Sequence, residues 1–254
     1  TLTTRSGCAG RHFLPLSLLR TIIDGMAAMK LNVLHWHITD VPSIPFDFEK
    51  FPQLRQWAAF SPAAVYTADD ARALVTYAQQ RGVRVVPEID MPGHGGWYRA
   101  MPELGVAGCP DVLDPTENRT YEFLTDILSE IVGAFSDELL FLGGDEVNED
   151  FTVGYHCFDR NPKIARWLAT HKMTSRQLLD YFWRRVTQQV LPALPPRADG
   201  RDRQVGVWFC DKENLDGNGL YPPPPLGTPD LPPNTLANVH PIPPTFMIVQ
   251  PSDQ

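Results

Sequence analysis

The chain contains 254 residues, of which 43% are hydrophobic and 20% are charged, and its formal net charge at pH 7 is −8. This composition is ordinary for a globular protein in water, and no apolar run approaches the roughly 18 residues that a membrane-spanning helix needs. Nucleic-acid surfaces depend on clustered Lys and Arg, and the sequence has no such cluster. Composition and charge therefore argue against a membrane span and a nucleic-acid partner, and they favour an uncharged or weakly charged substrate.

The cysteines, a glycosylation triplet and the first residue bear on disulfides, the secretory pathway and processing of the chain. Four cysteines show no C-x-x-C spacing, which argues against a structural zinc site and leaves disulfides open: Cys8, Cys109, Cys157 and Cys210. The triplet that begins at Asn118 is an N-glycosylation acceptor if the chain enters a secretory pathway. The chain starts at Thr1 without a signal peptide, which indicates a mature form or a fragment.

Predicted helices and short apolar strands alternate through most of the chain. Apolar residues at helical spacing, such as Leu18 and Met26, predict a first helix that feeds a β-like run. The order recurs after Thr67, a predicted N-cap with Asp69 and Asp70 in the first helical turn. The predicted helices are residues 16–30, 67–81, 118–135, 164–171 and 175–190, and the predicted strands are residues 31–38, 83–89, 139–142 and 204–209.

This alternation predicts an α/β fold of the (β/α)8 TIM-barrel type, because helices between strands imply parallel pairing with right-handed crossovers. A closed barrel needs eight strands. The sequence shows four clear strands and at most a weak one in an irregular, polar start before Leu14, so the barrel is expected to lack late strands. We expect a partial barrel domain over residues 11–220 and an irregular, Pro-rich tail over residues 221–254.

Three polar clusters fall at the predicted ends of strands: residues 35–40, 87–94 and 143–146. In a parallel α/β fold this edge is where active sites form. Taken singly, the clusters are ambiguous. His35, His37 and His94 could bind a metal with a carboxylate, which would suit a metal-dependent hydrolase, but packed and hydrogen-bonded histidines are the more common case.

The adjacent acids in the third cluster must do different jobs, since successive side chains on a strand point to opposite faces. These are Asp145 and Glu146. The preceding Gly143 and Gly144 indicate either a tight turn or a backbone that lies close to a bulky group.

An ordered series of motifs resembles family 20 glycoside hydrolases, the lysosomal β-N-acetylhexosaminidase type in particular. The motifs are Arg11-His12-Phe13-Leu14-Pro15-Leu16, Lys30-Leu31-Asn32-Val33-Leu34-His35-Trp36-His37, Pro92-Gly93-His94 and Leu142-Gly143-Gly144-Asp145-Glu146-Val147. The resemblance implies a retaining enzyme in which the substrate's own 2-acetamido oxygen attacks the anomeric carbon, so that no protein nucleophile is required.

The resemblance also assigns roles. It implies that Glu146 protonates the glycosidic oxygen and then activates water, that Asp145 holds the acetamido nitrogen, and that Asp40 and His94 form a relay with Glu146. It places a further set at the terminal sugar: Arg11, Asp90, Glu88, His37 and Trp208, the last as an aromatic wall of the acetamido pocket.

The resemblance also has implications for the disulfide, the location, the substrate and the oligomeric state. The resemblance implies a Cys109–Cys157 disulfide, a glycan at Asn118 and a lysosomal or extracellular location. It implies a substrate with a terminal β-linked N-acetylhexosamine and no cofactor or metal, and a homodimer is an expectation because relatives often dimerise.

Two departures from the family pattern keep alternatives open. Val41 stands where the family has a second acid, and the late-strand aromatic and acidic residues of the family are not recognisable after Trp208. The alternatives to an active hexosaminidase are an inactive truncated remnant, a metal-dependent hydrolase and a non-catalytic sugar-binding module.

Overall fold

The computed structural model describes residues 4–144, 147, 156–207, 235–236 and 246–247, with the backbone alone at residues 4–8, 156, 235–236 and 246–247. The helices are α1 (Leu16–Ala28), α2 (Pro52–Trp57), α3 (Ala68–Gln79), α4 (Asn118–Ala134), α5 (His156–Arg160), α6 (Pro162–His171), α7 (Ser175–Arg185) and α8 (Leu191–Ala193). Two 3₁₀ turns, Gly96–Arg99 and Pro102–Leu104, and a π-helical turn, Val186–Val190, complete the helical elements of this part of the chain.

The strands are β1 (Thr4–Cys8), β2 (Val33–His37), β3 (Arg84–Glu88), β4 (Gly105–Val106), β5 (Cys109–Leu113), β6 (Leu139–Phe141), β7 (Gln204–Gly206), β8 (Thr235–Leu236) and β9 (Phe246–Met247). Seven of them form one sheet in the order β8-β7-β6-β3-β2-β1-β9, and β4 and β5 form a separate antiparallel hairpin. Every pair within the seven-stranded sheet is parallel. The predicted α/β fold with parallel pairing is therefore confirmed.

Local sequence signals explain where several helices begin. Thr67 accepts a hydrogen bond from the backbone N–H of Asp70, whose carboxylate in turn accepts the N–H of Thr67, so α3 begins with a capping box. Thr174 and Gln177 make the same arrangement at α7. The side chain of Asn161 caps α6. These caps satisfy backbone donors that have no partner within the helix.

The strand register sets the level of the sheet's carboxyl edge. Cys8 pairs with His37, His37 with Glu88, Glu88 with Phe141, and Phe141 with Gly206. One row of residues therefore crosses β1, β2, β3, β6 and β7 close to where each strand ends. Segments that follow these strands must emerge side by side.

The two faces of the sheet have different surroundings. Trp36 is fully buried, and its ring contacts Tyr66 at 4.9 Å and Phe135 at 5.7 Å between ring centroids, in the main core with α1, α3 and α4. Its strand neighbours His35 and His37 point to the opposite face, because side chains alternate along a strand. That face carries a small apolar cluster of Val33, Val86 and Phe141 below the polar residues.

The structure differs from the sequence prediction at both ends of the sheet. Residues 4–8, expected to be irregular with at most a weak strand, form β1 in full register with β2. Inside the predicted irregular tail, β8 pairs with β7 and β9 pairs with β1. The strand predicted over residues 204–209 ends at Gly206, and residues 208–210 lie outside the described part. Within that part, no helix combines the length and apolar character needed to cross a membrane.

Candidate active site

The predicted clusters meet at the carboxyl edge of the sheet, where the backbone ladder continues beyond the strands. The N–H of Ile38 donates to the carbonyl of Glu88 at 3.1 Å, and the N–H of Ile89 donates to the carbonyl of Phe141 at 3.0 Å. The N–H of Met91 donates to the carbonyl of Leu142 at 3.1 Å. The segments after β2, β3 and β6 are therefore fixed to one another.

Asp40 is the centre of the first group of side chains. Arg11 donates from Nε to Oδ2 of Asp40 at 2.6 Å, and Nδ1 of His94 lies 3.5 Å from Oδ1. The N–H of Val41 also donates to Oδ1, at 2.7 Å. Burial raises the pKa of Asp40, but hydrogen bonds from His94 and Arg11 and the nearby positive charge together lower it more, so its pKa lies below the usual 3.8. Asp40 is therefore a carboxylate that holds a guanidinium and an imidazole together.

Two backbone features bring Arg11 and His94 to this carboxylate. Gly10 lies against residue 40, since a Cβ at Gly10 would be 2.5 Å from the backbone nitrogen and 2.7 Å from the Cβ of Asp40. His94 has a positive φ of 53° and follows the cis peptide bond between Met91 and Pro92. The β4–β5 hairpin supports this turn, because Pro92 accepts the N–H of Leu113.

A second group of side chains lies on the same face of β2 and β3. Nε2 of His35 is 2.6 Å from Oε2 of Glu88, and Nε2 of His37 is 3.8 Å from Oδ2 of Asp90. Glu88 and Asp90 are 3% and 0% exposed. One potential ligand atom from each of His37, Glu88 and Asp90 lies within 4.8 Å of the others, so this trio could hold a metal ion by donor type.

Asp90 also reaches the third cluster. Its Oδ1 accepts the backbone N–H of Gly144 at 2.9 Å, and its own N–H donates to Oγ1 of Thr39 at 3.1 Å. Gly143 has a φ of 63°, and a Cβ there would lie 1.8 Å from the same Oδ1. Of the two explanations that the sequence left open for Gly143, the structure has both a left-handed backbone and a close approach.

The residues on either side of Asp145 and Glu146 are anchored. Gly144 is held by Asp90. Val147 is 3% exposed and belongs to a small apolar cluster with Val106, Val112, Cys157 and Phe158. Asp145 and Glu146 themselves lie outside the described residues, as do Trp208 and Cys210.

The Cys109–Cys157 disulfide is confirmed, with Cα atoms 5.6 Å apart across a sequence separation of 48 residues. It ties β5 to α5. Asn118, at the start of α4, is exposed, and the hydroxyl of Thr120 in the same triplet is buried and donates to the carbonyl of Asp114. Glycosylation at Asn118 stays a prediction.

The structure thus brings the predicted site residues together in two sets. Arg11, Asp40 and His94 form one set, and His37, Glu88 and Asp90 form the other. Sequence reasoning missed Thr39 as a partner of Asp90. The signal was present, because residues 35, 37 and 39 share one face by strand alternation.

Comparison with known proteins identifies one family repeatedly. The model of glycosyl hydrolase family 20, catalytic domain, matches residues 8–195. Beta-hexosaminidase 3 from Arabidopsis thaliana is 39% identical over 175 residues, covering 68% of this chain and 31% of the relative. Beta-hexosaminidase subunit beta from Homo sapiens is 40% identical over 168 residues, covering 62% of this chain and 29% of the relative.

The solved structure of a chitobiase from Flavobacterium johnsoniae aligns with a TM-score of 0.71 and 30% identity, over 84% of this chain and 32% of that chain. A β-N-acetylhexosaminidase from Bacteroides fragilis aligns with a TM-score of 0.65 and 25% identity, over 82% and 40%. The chain spans about a third of the length of the curated relatives that it matches.

Proposed function

Because the chain belongs to glycosyl hydrolase family 20, we propose that it removes terminal, non-reducing β-linked N-acetylglucosamine or N-acetylgalactosamine from a glycan or glycoconjugate. The proposed mechanism is retaining and substrate-assisted, so the acetamido group of the sugar is the nucleophile. The observation that carries the proposal is the Arg11–Asp40–His94 group at the carboxyl edge, two strands away from the glycine turn that leads to Asp145 and Glu146.

In the first step, the acetamido oxygen attacks the anomeric carbon and the bond to the aglycone oxygen breaks. Glu146 gives its proton to that oxygen, and Asp145 accepts the acetamido N–H and stabilises the positive charge of the oxazolinium intermediate. In the second step, Glu146 takes a proton from water, the water oxygen bonds to the anomeric carbon, and the acetamido group is restored. The anomeric configuration is retained because two displacements occur on one carbon.

The described side chains support these steps in two ways. The Asp40 carboxylate at Nδ1 orients the ring of His94, and the proposed relay runs from Asp40 through His94 to Glu146. The side chain of Arg11 is 45% exposed while its Nε binds Asp40, and a guanidinium held in this way has further N–H donors that suit sugar hydroxyls.

We further propose a secretory context, lysosomal or extracellular, with an N-glycan on the exposed Asn118. The disulfide fits such a compartment because disulfides persist where the environment is oxidising. A (β/α)8 barrel that lacks late strands, with its catalytic domain over residues 11–220, also remains a proposal, and so does a Pro-rich tail over residues 221–254 that is irregular apart from β8 and β9.

A metal-dependent hydrolase is the second candidate, since His37, Glu88 and Asp90 offer a mixed donor set within 4.8 Å. Two contacts weigh against it. Glu88 lies 2.6 Å from His35, and Asp90 already accepts the N–H of Gly144, so a cation would have to compete with both.

The test is release of nitrophenol from the nitrophenyl β-glycosides of N-acetylglucosamine and N-acetylgalactosamine. The variants are Glu146→Gln and the matched control Glu122→Gln, which makes the same chemical change on the exposed face of α4. We expect turnover by the parent and by Glu122→Gln, and a loss of about 10²–10⁴-fold in kcat for Glu146→Gln, the usual worth of a general acid.

Two further arms separate the candidates. The nitrophenyl β-glucoside, which has a hydroxyl in place of the acetamido group, should not turn over if the acetamido oxygen is the nucleophile. Inhibition by a chelator that is reversed by added zinc would instead favour a metal-dependent hydrolase. A folded, monodisperse chain that turns over neither N-acetylhexosaminide would be an inactive member of the family.

A further inference from the structure

Two side-chain hydrogen bonds connect the ends of three neighbouring strands. Oγ1 of Thr39, after β2, accepts the N–H of Asp90, after β3, at 3.1 Å. Oδ1 of Asp90 accepts the N–H of Gly144, after β6, at 2.9 Å. In the sequence, Thr39 directly precedes Asp40 and Gly144 directly precedes Asp145. The chain of bonds therefore begins beside one functional group of the site and ends beside the other.

The packing around these bonds leaves little freedom. Thr39 and Asp90 are both 0% exposed. The Gly143 backbone approaches so closely that a Cβ there would be 2.3 Å from Cγ of Asp90 and 1.8 Å from Oδ1. The backbone bond from Met91 to Leu142 lies beside the Asp90–Gly144 bond and fixes the same two segments. The carboxylate thus has one position relative to the turn.

We propose that Thr39 and Asp90 are positioning residues that hold the Asp145–Glu146 pair in register with the Arg11–Asp40–His94 group. This inference rests on the proposed function for its effect on catalysis, but the hydrogen bonds do not depend on it. It also gives Asp90 a task besides the one that the resemblance implies for it, because its Oδ1 accepts the backbone N–H of Gly144.

The physical reason is the sensitivity of proton transfer to distance. A misplacement of about 1 Å in a catalytic group can cost roughly 100-fold in rate even when the change lies away from the chemistry. A hydrogen bond from a backbone N–H to a carboxylate is stronger than one between neutral groups, so Asp90 is suited to holding a turn. Thr39 fixes the backbone of Asp90 and prevents it from moving with the turn.

Conservative pairs of variants separate positioning from other roles. Asp90→Asn keeps an oxygen that can accept the Gly144 N–H, whereas Asp90→Ala removes it. Thr39→Ser keeps the hydroxyl, whereas Thr39→Val replaces it with a methyl group of similar size. All four are assayed for kcat and KM with the nitrophenyl N-acetylglucosaminide, and thermal unfolding of each confirms that it is folded.

We expect Asp90→Ala to lower kcat about 100-fold and Thr39→Val about 10-fold, with KM almost unchanged, as misplacement of a catalytic group predicts. Asp90→Asn should have a kcat between those of the parent and Asp90→Ala, because its amide oxygen can accept the Gly144 N–H without the charge, and Thr39→Ser should retain most of the parent's kcat. If Asp90 instead binds the sugar through its charge, Asp90→Asn will be as damaged as Asp90→Ala and the loss will appear in KM. That result would overturn the proposal.

A second measurement does not require turnover. The sequence contains two Gly-Gly pairs, Gly95-Gly96 and Gly143-Gly144. Glycine is labelled with ¹³C at the carbonyl and ¹⁵N at the amide, and the spectrum correlates each amide nitrogen with the carbonyl of the preceding residue. Only a glycine that follows another glycine gives a signal, so the amides of Gly96 and Gly144 are selected. Gly96 is the internal reference for hydrogen exchange at Gly144.

The Gly144 amide should exchange slowly in the parent and in Asp90→Asn, and faster by about 10-fold or more in Asp90→Ala, relative to Gly96. Thr39→Val should give an intermediate rate. A parent that lacks turnover but shows this pattern would refute the proposed function and leave the positioning role standing. Exchange at Gly144 that is unchanged in Asp90→Ala would refute the positioning role whatever the activity.

Discussion

An alanine at Gly143 tests how tightly the glycine turn is held against Asp90. The new Cβ would lie 1.8 Å from Oδ1, 2.3 Å from Cγ and 2.9 Å from Cα of Asp90, so something must move. Gly143 also has a φ of 63°, which disfavours any side chain. Gly82, which follows α3, is the matched control because its φ is 70° and nothing lies within 4 Å of a Cβ built there.

The two substitutions share the backbone cost and differ in the overlap. Alanine in a left-handed conformation costs about 1–2 kcal/mol, which is the full loss expected for Gly82→Ala. Gly143→Ala adds overpacking of about 1–3 kcal/mol and weakens a charge-assisted hydrogen bond worth about 1.5–3 kcal/mol. We expect Gly143→Ala to lower the free energy of unfolding by about 2–4 kcal/mol more than Gly82→Ala does.

Urea unfolding followed by tryptophan fluorescence gives the free energies, and a double variant identifies the cause. In Asp90→Ala combined with Gly143→Ala, the two closest overlaps vanish, so the double variant should be more stable than additivity predicts by about 1–3 kcal/mol. Equal losses for Gly82→Ala and Gly143→Ala, or strictly additive losses in the double variant, would refute the close approach between the turn and Asp90.

Three further outcomes follow from the described contacts. The disulfide between Cys109 and Cys157 closes a loop with a sequence separation of 48 residues, and replacing both with serine should cost about 2–4 kcal/mol in urea unfolding. Arg11→Gln removes one of the hydrogen bonds that lower the pKa of Asp40 below 3.8. Ionised Asp40 stabilises the fold above its unfolded pKa of 3.8, and this stability is lost as the pH falls through the lower pKa of the folded state. In the variant the folded pKa is less depressed. Unfolding measured between pH 2 and 5 should therefore show the variant losing stability at higher pH than the parent. Asn118→Gln expressed in a secretory host should lose the mass and the endoglycosidase sensitivity of one N-glycan.

Much of the fold could be predicted because its elements carry strong local signals. The helix predicted over residues 67–81 is α3, and its predicted N-cap, Thr67, forms the capping box. The helix predicted over residues 118–135 is α4. The strands predicted over residues 31–38 and 83–89 are β2 and β3, each shortened at its ends. Apolar periodicity and caps are encoded within a few residues, so a single sequence reveals them.

The elements that the sequence did not reveal depend on distant partners. The β1 segment, Thr-Arg-Ser-Gly-Cys, has no apolar alternation, and its backbone pairs in register with β2 from Thr4 to Cys8. The β4–β5 hairpin has two residues on one side, and β8 and β9 have two residues each. Such short or polar strands form because of the strand they pair with. Hydrophobic periodicity is a local pattern and cannot predict a distant pairing partner.

The site shows the same division. The resemblance paired Asp40 with His94 in a relay and placed Arg11 at the sugar, and the structure has both Arg11 and His94 beside the one carboxylate of Asp40. It grouped Asp90 with residues at the sugar, although which N–H an aspartate oxygen accepts depends on the register between β3 and β6. That register is a property of the folded sheet, so the Thr39–Asp90–Gly144 bonds could not be read from spacing alone.

The anchors on either side of Asp145 and Glu146 have different physical origins, and this predicts how the site responds to damage. Asp90 acts on Gly144 through a hydrogen bond, whereas Val147 and Cys157 belong to an apolar cluster that the disulfide ties to β5. Reducing the disulfide leaves the Asp90 bond intact, so its cost should appear mainly as lost stability. Removing the Asp90 carboxylate leaves the disulfide and the apolar cluster intact but removes a hydrogen bond worth about 1.5–3 kcal/mol, so its cost should appear both as lost stability and as a lower kcat. A chain in which reduction lowered kcat as much as Asp90→Ala would show that the two anchors act as one unit, and the positioning role would then belong to the whole connection after β3.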